Sequence, residues 1–86
     1  MLPFAFLNDD VQFSAFKRAY DGDGYILRFY ENQGKAVEAS LRLHGFQRVF
    51  LSNMNEEILE ETMLRDGTLN LSVAPYKVIT LLLRPE

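Results

Sequence analysis

The sequence contains no cysteine and no tryptophan, and only one histidine and three prolines in 86 residues. Without cysteine, no disulfide and no thiolate metal site can brace the fold. A single imidazole leaves no set of the kind that zinc usually takes when thiolates are missing. No apolar run approaches the roughly 20 residues that span a bilayer as a helix. The opening stretch Met1 to Leu7 carries no basic residue and is followed by Asp9 and Asp10, so it does not read as a secretory leader. A cytoplasmic location is the expectation. Basic residues are also outnumbered, 9 against 12 acidic, for a formal charge of −3. No basic stripe is present, which disfavours nucleic acid or an anionic membrane as partner.

What the chain has is apolar and aromatic surface: 48% hydrophobic residues, with seven Phe and four Tyr. A chain this short forms one domain, spanning residues 1–86, and buries only about 60–65% of its unfolded surface. Each Phe fully removed from water contributes roughly 1.5–3 kcal/mol, so the rings carry much of the core.

The stretch Tyr25 to Glu31 is the axis. Aromatic and branched side chains suit a pleated, half-buried surface. Asp21-Gly22-Asp23-Gly24 before it and Asn32-Gln33-Gly34 after it are turn chemistry, so a hairpin is expected on each side. Upstream, Val11, Phe13 and Ala15 alternate with Gln12 and Ser14 and predict a strand running to about Tyr20. Downstream, Val37, Ala39, Leu41 and Leu43 alternate with Glu38, Ser40 and Arg42, which predicts a half-buried antiparallel strand and a hairpin partner for the axis. His44-Gly45 reads as a turn and Val49-Phe50-Leu51 as a further strand. Residues 53–65 are open between a helix capped by Asn53 or Asn55 and an extended crossover lined by Glu56, Glu57, Glu60 and Glu61. Asp66-Gly67 is a turn before the alternating Leu69, Leu71 and Val73. The last strand, Val78 to Leu83, is apolar on both faces, which implies that something covers both. The fold class expected is all-β, a small antiparallel β-sandwich of six or seven strands, with an α+β domain as runner-up if 53–65 is helical.

Few residues invite a chemical reading. Asp21-Gly22-Asp23-Gly24 suggests a calcium loop, but that loop requires Gly sixth and Glu twelfth, where this chain has Ile26 and Asn32. His44 has no partner at ligand spacing. The carboxylates Glu31, Glu38, Glu56 and Glu57 resemble glycosidase acids only if tertiary structure pairs them. Arg28 and Glu31 differ because they interrupt the most apolar strand. They are expected as a partly buried ion pair or hydrogen-bond anchor, or as a structural or interdomain contact that contributes to a ligand pocket on a partner domain. Tyr20, Tyr25, Tyr30 and Tyr76, if exposed together, would make a sugar-stacking platform; packing at the core or rim is the ordinary role.

Three stretches resemble one family. Lys17 to Gly34 is similar to a K-x-A-x-D-G-x-G-x-I-L-R-x-Y-E-x-x-G segment in the last β-domain of glycoside hydrolase family 38 α-mannosidases. Asn53-Met54-Asn55-Glu56-Glu57 resembles the family's Asn-x-x-Glu-Glu, and Pro75-Tyr76-Lys77-Val78-Ile79-Thr80 its closing P-[FY]-E-I-x-T, with Lys77 replacing the usual Glu. The resemblance implies a non-catalytic C-terminal accessory domain of an α-mannosidase. The parent enzyme, on the same resemblance, cleaves α-mannosidic bonds with an aspartate nucleophile and a divalent metal, usually zinc. No catalytic, cofactor-binding or metal-ligating residue transfers to this chain. The implied partners are the catalytic and other β-domains, with self-association through an open edge also expected. The alternative is a stand-alone carbohydrate-binding or protein-interaction module.

Overall fold

A computed structural model describes residues 3–20, 22–53 and 55–85. The eight strands are β1 (Phe4–Phe6), β2 (Gln12–Arg18), β3 (Tyr25–Tyr30), β4 (Val37–Leu43), β5 (Phe46–Ser52), β6 (Ile58–Thr62), β7 (Thr68–Val73) and β8 (Val78–Pro85). They form two antiparallel sheets, one of three strands in the order β1-β4-β7 and one of five in the order β2-β3-β8-β5-β6. The β-sandwich expected from alternation is therefore present, and no described residue is helical. The strand count exceeds the expected six or seven because β1 is only three residues long and β6 occupies the acidic segment.

The core lies between the sheets. Leu27 and Phe29 of β3, Val49 of β5 and Ile79, Leu81 and Leu83 of β8 meet Ala39, Leu41 and Leu43 of β4 and Leu69 and Val73 of β7. Phe6 packs edge-on against Phe29 at 5.4 Å, and Tyr25 stacks on Phe16 at 5.3 Å. Such ring pairs add to the burial of area.

One expectation needs correction, and one open reading is decided. Val37 to Leu43 is not the hairpin partner of the axis strand. β3 pairs with β2 and β8, whereas β4 crosses to the other sheet and pairs with β1 and β7. One apolar and one polar face is what a strand of either sheet shows, so alternation does not choose the partner. Segment 53–65 is extended rather than helical: β6 pairs with β5, with a register shift that leaves Leu59 as the extra residue. Four glutamates with few apolar side chains offer a helix no continuous stripe to bury, and in the strand Glu61 finds a bidentate partner in Arg48 of β5 at 2.9 and 3.0 Å.

The last strand is covered on both faces by this chain itself over much of its length. Ile26, Leu82 and Phe50 are neighbours on the outer face of the large sheet and are buried with Ala19. Glu56 belongs to the β5–β6 loop, yet its carboxylate accepts from the Tyr20 amide and pairs with Lys17 at 3.6 Å. β5 and β2 are separated by β8 and β3, so the loop must cross that face to reach them. Val78, at the other end of β8, stays 49% exposed.

The β2–β3 hairpin depends on one glycine. Gly24 has φ +125°, and a Cβ there would sit 2.4 Å from the Leu83 carbonyl oxygen. Gly24→Ala is expected to cost about 1–3 kcal/mol, through strain and displacement of β8. Thermal unfolding by circular dichroism checks this; a Tm within a degree of the parent's removes the claim.

Candidate functional site

Among the described residues the only buried ionisable group is Glu31, 2% exposed, immediately after β3. Its carboxylate accepts from the backbone amides of Gln33 at 2.7 Å, Gly34 at 2.9 Å and Tyr76 at 2.9 Å. Burial pushes the pKa up, but these amides outweigh it and hold the carboxyl below its ordinary 4.5. The Glu31 amide itself donates to the Lys77 carbonyl at 3.1 Å. Glu31 thus fastens the β3–β4 loop to the β7–β8 turn, where Tyr76 adopts φ +59°. Gly34 completes the closure, since a Cβ there would lie 2.8 Å from the Tyr76 hydroxyl.

Arg28 and Glu31 are not brought together as an ion pair. Arg28 is half-buried on the outer face of the large sheet and donates from Nε to the Thr80 hydroxyl at 3.1 Å. Glu31 is therefore a hydrogen-bond anchor within this chain, satisfied by backbone rather than by a cation. A shallow depression of about 220 Å³ beside it is lined by Asp9, Asp10, Gln12, Asn32, Gln33 and Lys35. It holds no imidazole and no nucleophile. His44 lies at the far end of β4, roughly 20 Å away at strand rise, exposed in its turn.

The second acidic stretch is also used locally. Asn53 accepts from the amides of Asn55 at 2.9 Å and Glu57 at 3.0 Å and donates to the Glu57 carboxylate at 2.9 Å. This shapes a loop in which Glu56 takes φ +64° and points back to Lys17 and Tyr20. Met54 lies outside the described residues, as does Asp21. Among the described residues no group of three or more His, Asp or Glu side chains is placed to hold a metal ion.

The tyrosines do not share a platform. Tyr25 is half-buried between Phe16 and Phe46, whereas Tyr20 and Tyr76 are exposed at opposite ends of the large sheet. The register places Tyr25 opposite Leu83 and Tyr30 opposite Val78, five residues apart, or about 17 Å.

Sequence reasoning missed two fasteners, the Glu56 clasp and Asn8. The Asn8 side chain accepts from the Ser40 amide at 3.1 Å and donates to the Glu38 carbonyl at 2.7 Å, extending the β1–β4 pairing. Asn8-Asp9-Asp10 is turn chemistry, but nothing in the sequence marks a partner 30 residues away.

Among comparisons with known proteins, the family model described as the glycosyl hydrolases family 38 C-terminal beta sandwich domain matches residues 10–81. No curated protein and no solved structure matches the chain.

Proposed function

We propose, from the premise that this chain belongs to the family of glycosyl hydrolase family 38 C-terminal β-sandwich domains, that it is a non-catalytic accessory domain of an α-mannosidase. The observation that carries the reading is how the three motif stretches are spent. Glu31 and Gly34 of the first meet Tyr76 of the third, and Lys17 and Tyr20 of the first meet Glu56 of the second. Their polar groups fasten loops to one another and leave no convergent acid, base or nucleophile. The chemistry belongs to the enzyme's catalytic part, which would hold the divalent metal, zinc by the resemblance. This domain supplies shape and a packing surface. Arg28, half-buried on the outer face near exposed Val78, is the side chain best placed for an interdomain contact.

The chain alone is expected to release no p-nitrophenol from an aryl α-mannoside, with or without added zinc, and to bind no mannoside in millimolar calorimetry. Mixed with the remainder of the enzyme, it is expected to form a stable complex by size exclusion. Turnover by the chain alone, or no complex, would overturn the reading. A cytoplasmic location accords with the absence of cysteine; fractionation of cells producing the tagged enzyme tests it.

A further inference from the structure

The four sheet edges are not protected alike. β1 is three residues long; β2 carries a register shift at Ser14 and the charges Lys17 and Arg18; β6 carries a register shift at Leu59 and the charges Glu60 and Glu61. Short strands, bulges and charges are the devices that stop an edge from pairing with other chains. β7, Thr68-Leu69-Asn70-Leu71-Ser72-Val73, has none of them: six residues, no register shift, no charge and no proline.

The hydrogen-bond phase identifies its free groups. Leu43 donates to Gly67, which makes 43 and 67 a bonded pair. In an antiparallel ladder the bonded pairs recur every second residue. Residues 67, 69, 71 and 73 therefore face β4, and 68, 70 and 72 face outward. Leu7 donating to Ser40 fixes the same phase from the other side of β4. Thr68 is already engaged, exchanging both backbone bonds with Arg65 at 2.9 Å. Asn70 and Ser72 remain, each with an amide and a carbonyl directed off the edge.

Beside that edge is a vacant position one strand wide. The small sheet has three strands against five. β1 lies over β2 and β3, as the contacts of Phe4 with Phe13 and Phe16 and of Phe6 with Phe29 require. The small sheet consequently ends short of β6, and an open groove of about 380 Å³ follows the step. Leu51, Leu69, Leu71 and Met63 line it, with Glu60 and Arg65. Leu51 packs with the core and is paired with Glu60, so that the Glu60 carboxylate shares the groove face, and no ion pair or hydrogen bond to another described residue engages it.

We propose that β7 accepts one extended segment from the rest of the glycosidase polypeptide, completing the small sheet as a fourth strand. This rests on the accessory-domain reading. The segment would bond to Asn70 and Ser72, place alternate apolar side chains on Leu51, Leu71 and Met63, and set a Lys or Arg against Glu60. A second copy fits poorly. Two-fold pairing of β7 with β7 would bring the overhanging β6 of each copy into the same layer and the same space.

Residue-resolved amide hydrogen exchange in the full enzyme, compared with the 86-residue chain, tests the proposal. Asn70 and Ser72 are expected to exchange freely in the chain and at least about 100-fold more slowly in the enzyme, while Leu69 and Leu71 are slow in both. Protection gained elsewhere in the domain, with Asn70 and Ser72 still fast, overturns the strand proposal and leaves the accessory role standing. No gain anywhere overturns both. Asn70→Pro removes an amide outside the domain's own ladder, and Glu60→Lys reverses the charge at the carboxylate beside Leu51. Each is expected to raise the rate of proteolytic release of the domain from the enzyme roughly tenfold. Unchanged release in Glu60→Lys, whose fold does not depend on that carboxylate, counts against the predicted basic partner and so against the proposal.

Discussion

Glu31→Ala is expected to lower the Tm on the order of 15 °C. The substitution removes the common acceptor of amides from Gln33, Gly34 and Tyr76. Those amides sit where β3 leaves one sheet for the other and where β7 turns into β8. Tyr76 holds positive φ, a conformation that a non-glycine residue keeps only when its surroundings over-determine it. Loss of the carboxylate therefore frees two loops together. A differential scan showing a shift below about 3 °C would mean that water replaces the carboxylate at little cost.

The same group predicts acid lability. The folded-state pKa of Glu31 is depressed, so its contribution is fully present above the unfolded value near 4.5 and is lost as pH falls through the lower folded value. Chemical denaturation at pH 7, 5, 4 and 3 is expected to show stability declining from about pH 5 downward. In Glu31→Gln, which offers one amide oxygen and no charge, stability at pH 7 is reduced and the decline is shallower. An identical pH profile in the two proteins would assign acid lability to other carboxylates. Glu61 is the obvious one, held below its ordinary value by its hydrogen bonds with Arg48, although it is exposed.

Glu31 also shows where reading a sequence reaches its limit. It stands out because a carboxylate closes a run that is apolar or aromatic except at Arg28, and anchoring is one of the roles expected of such a group. Its partners were hidden because Tyr76 is 45 residues away and contributes only a backbone amide, which every residue but proline has. The strands were legible where burial is one-sided, as in β4, or where a run is uniformly apolar, as in β8. The sheet to which β4 belongs was not, since period two records a face and not a neighbour. β6 was obscured because an exposed edge strand has no buried face to impose a period. The motif stretches carried the resemblance because they contain the turn and fastening residues, the part of a small sandwich that is hard to replace by another apolar side chain.

Phe29→Ala, by contrast, should come close to unfolding the domain. Phe29 is fully buried, pairs with Ile79 of β8 across the ladder and meets the Phe6 ring from the opposite sheet. Removing the ring costs about 3–5 kcal/mol, against a total of roughly 4–13 kcal/mol for a chain of this length. Phe13, its neighbour on β2, is 52% exposed and serves as control: Phe13→Ala is expected to cost about 1 kcal/mol. Leu82→Ala decides who covers the outer face. If the β5–β6 loop shields Leu82, as its 3% exposure indicates, the loss in the isolated chain is about 2–4 kcal/mol. A loss below about 0.5 kcal/mol would mean that this face is closed only by the remainder of the enzyme, and the Glu56 clasp would lose its structural role. Urea titrations of the three variants with a common m-value separate these cases, because a changed m would signal altered compactness rather than altered packing.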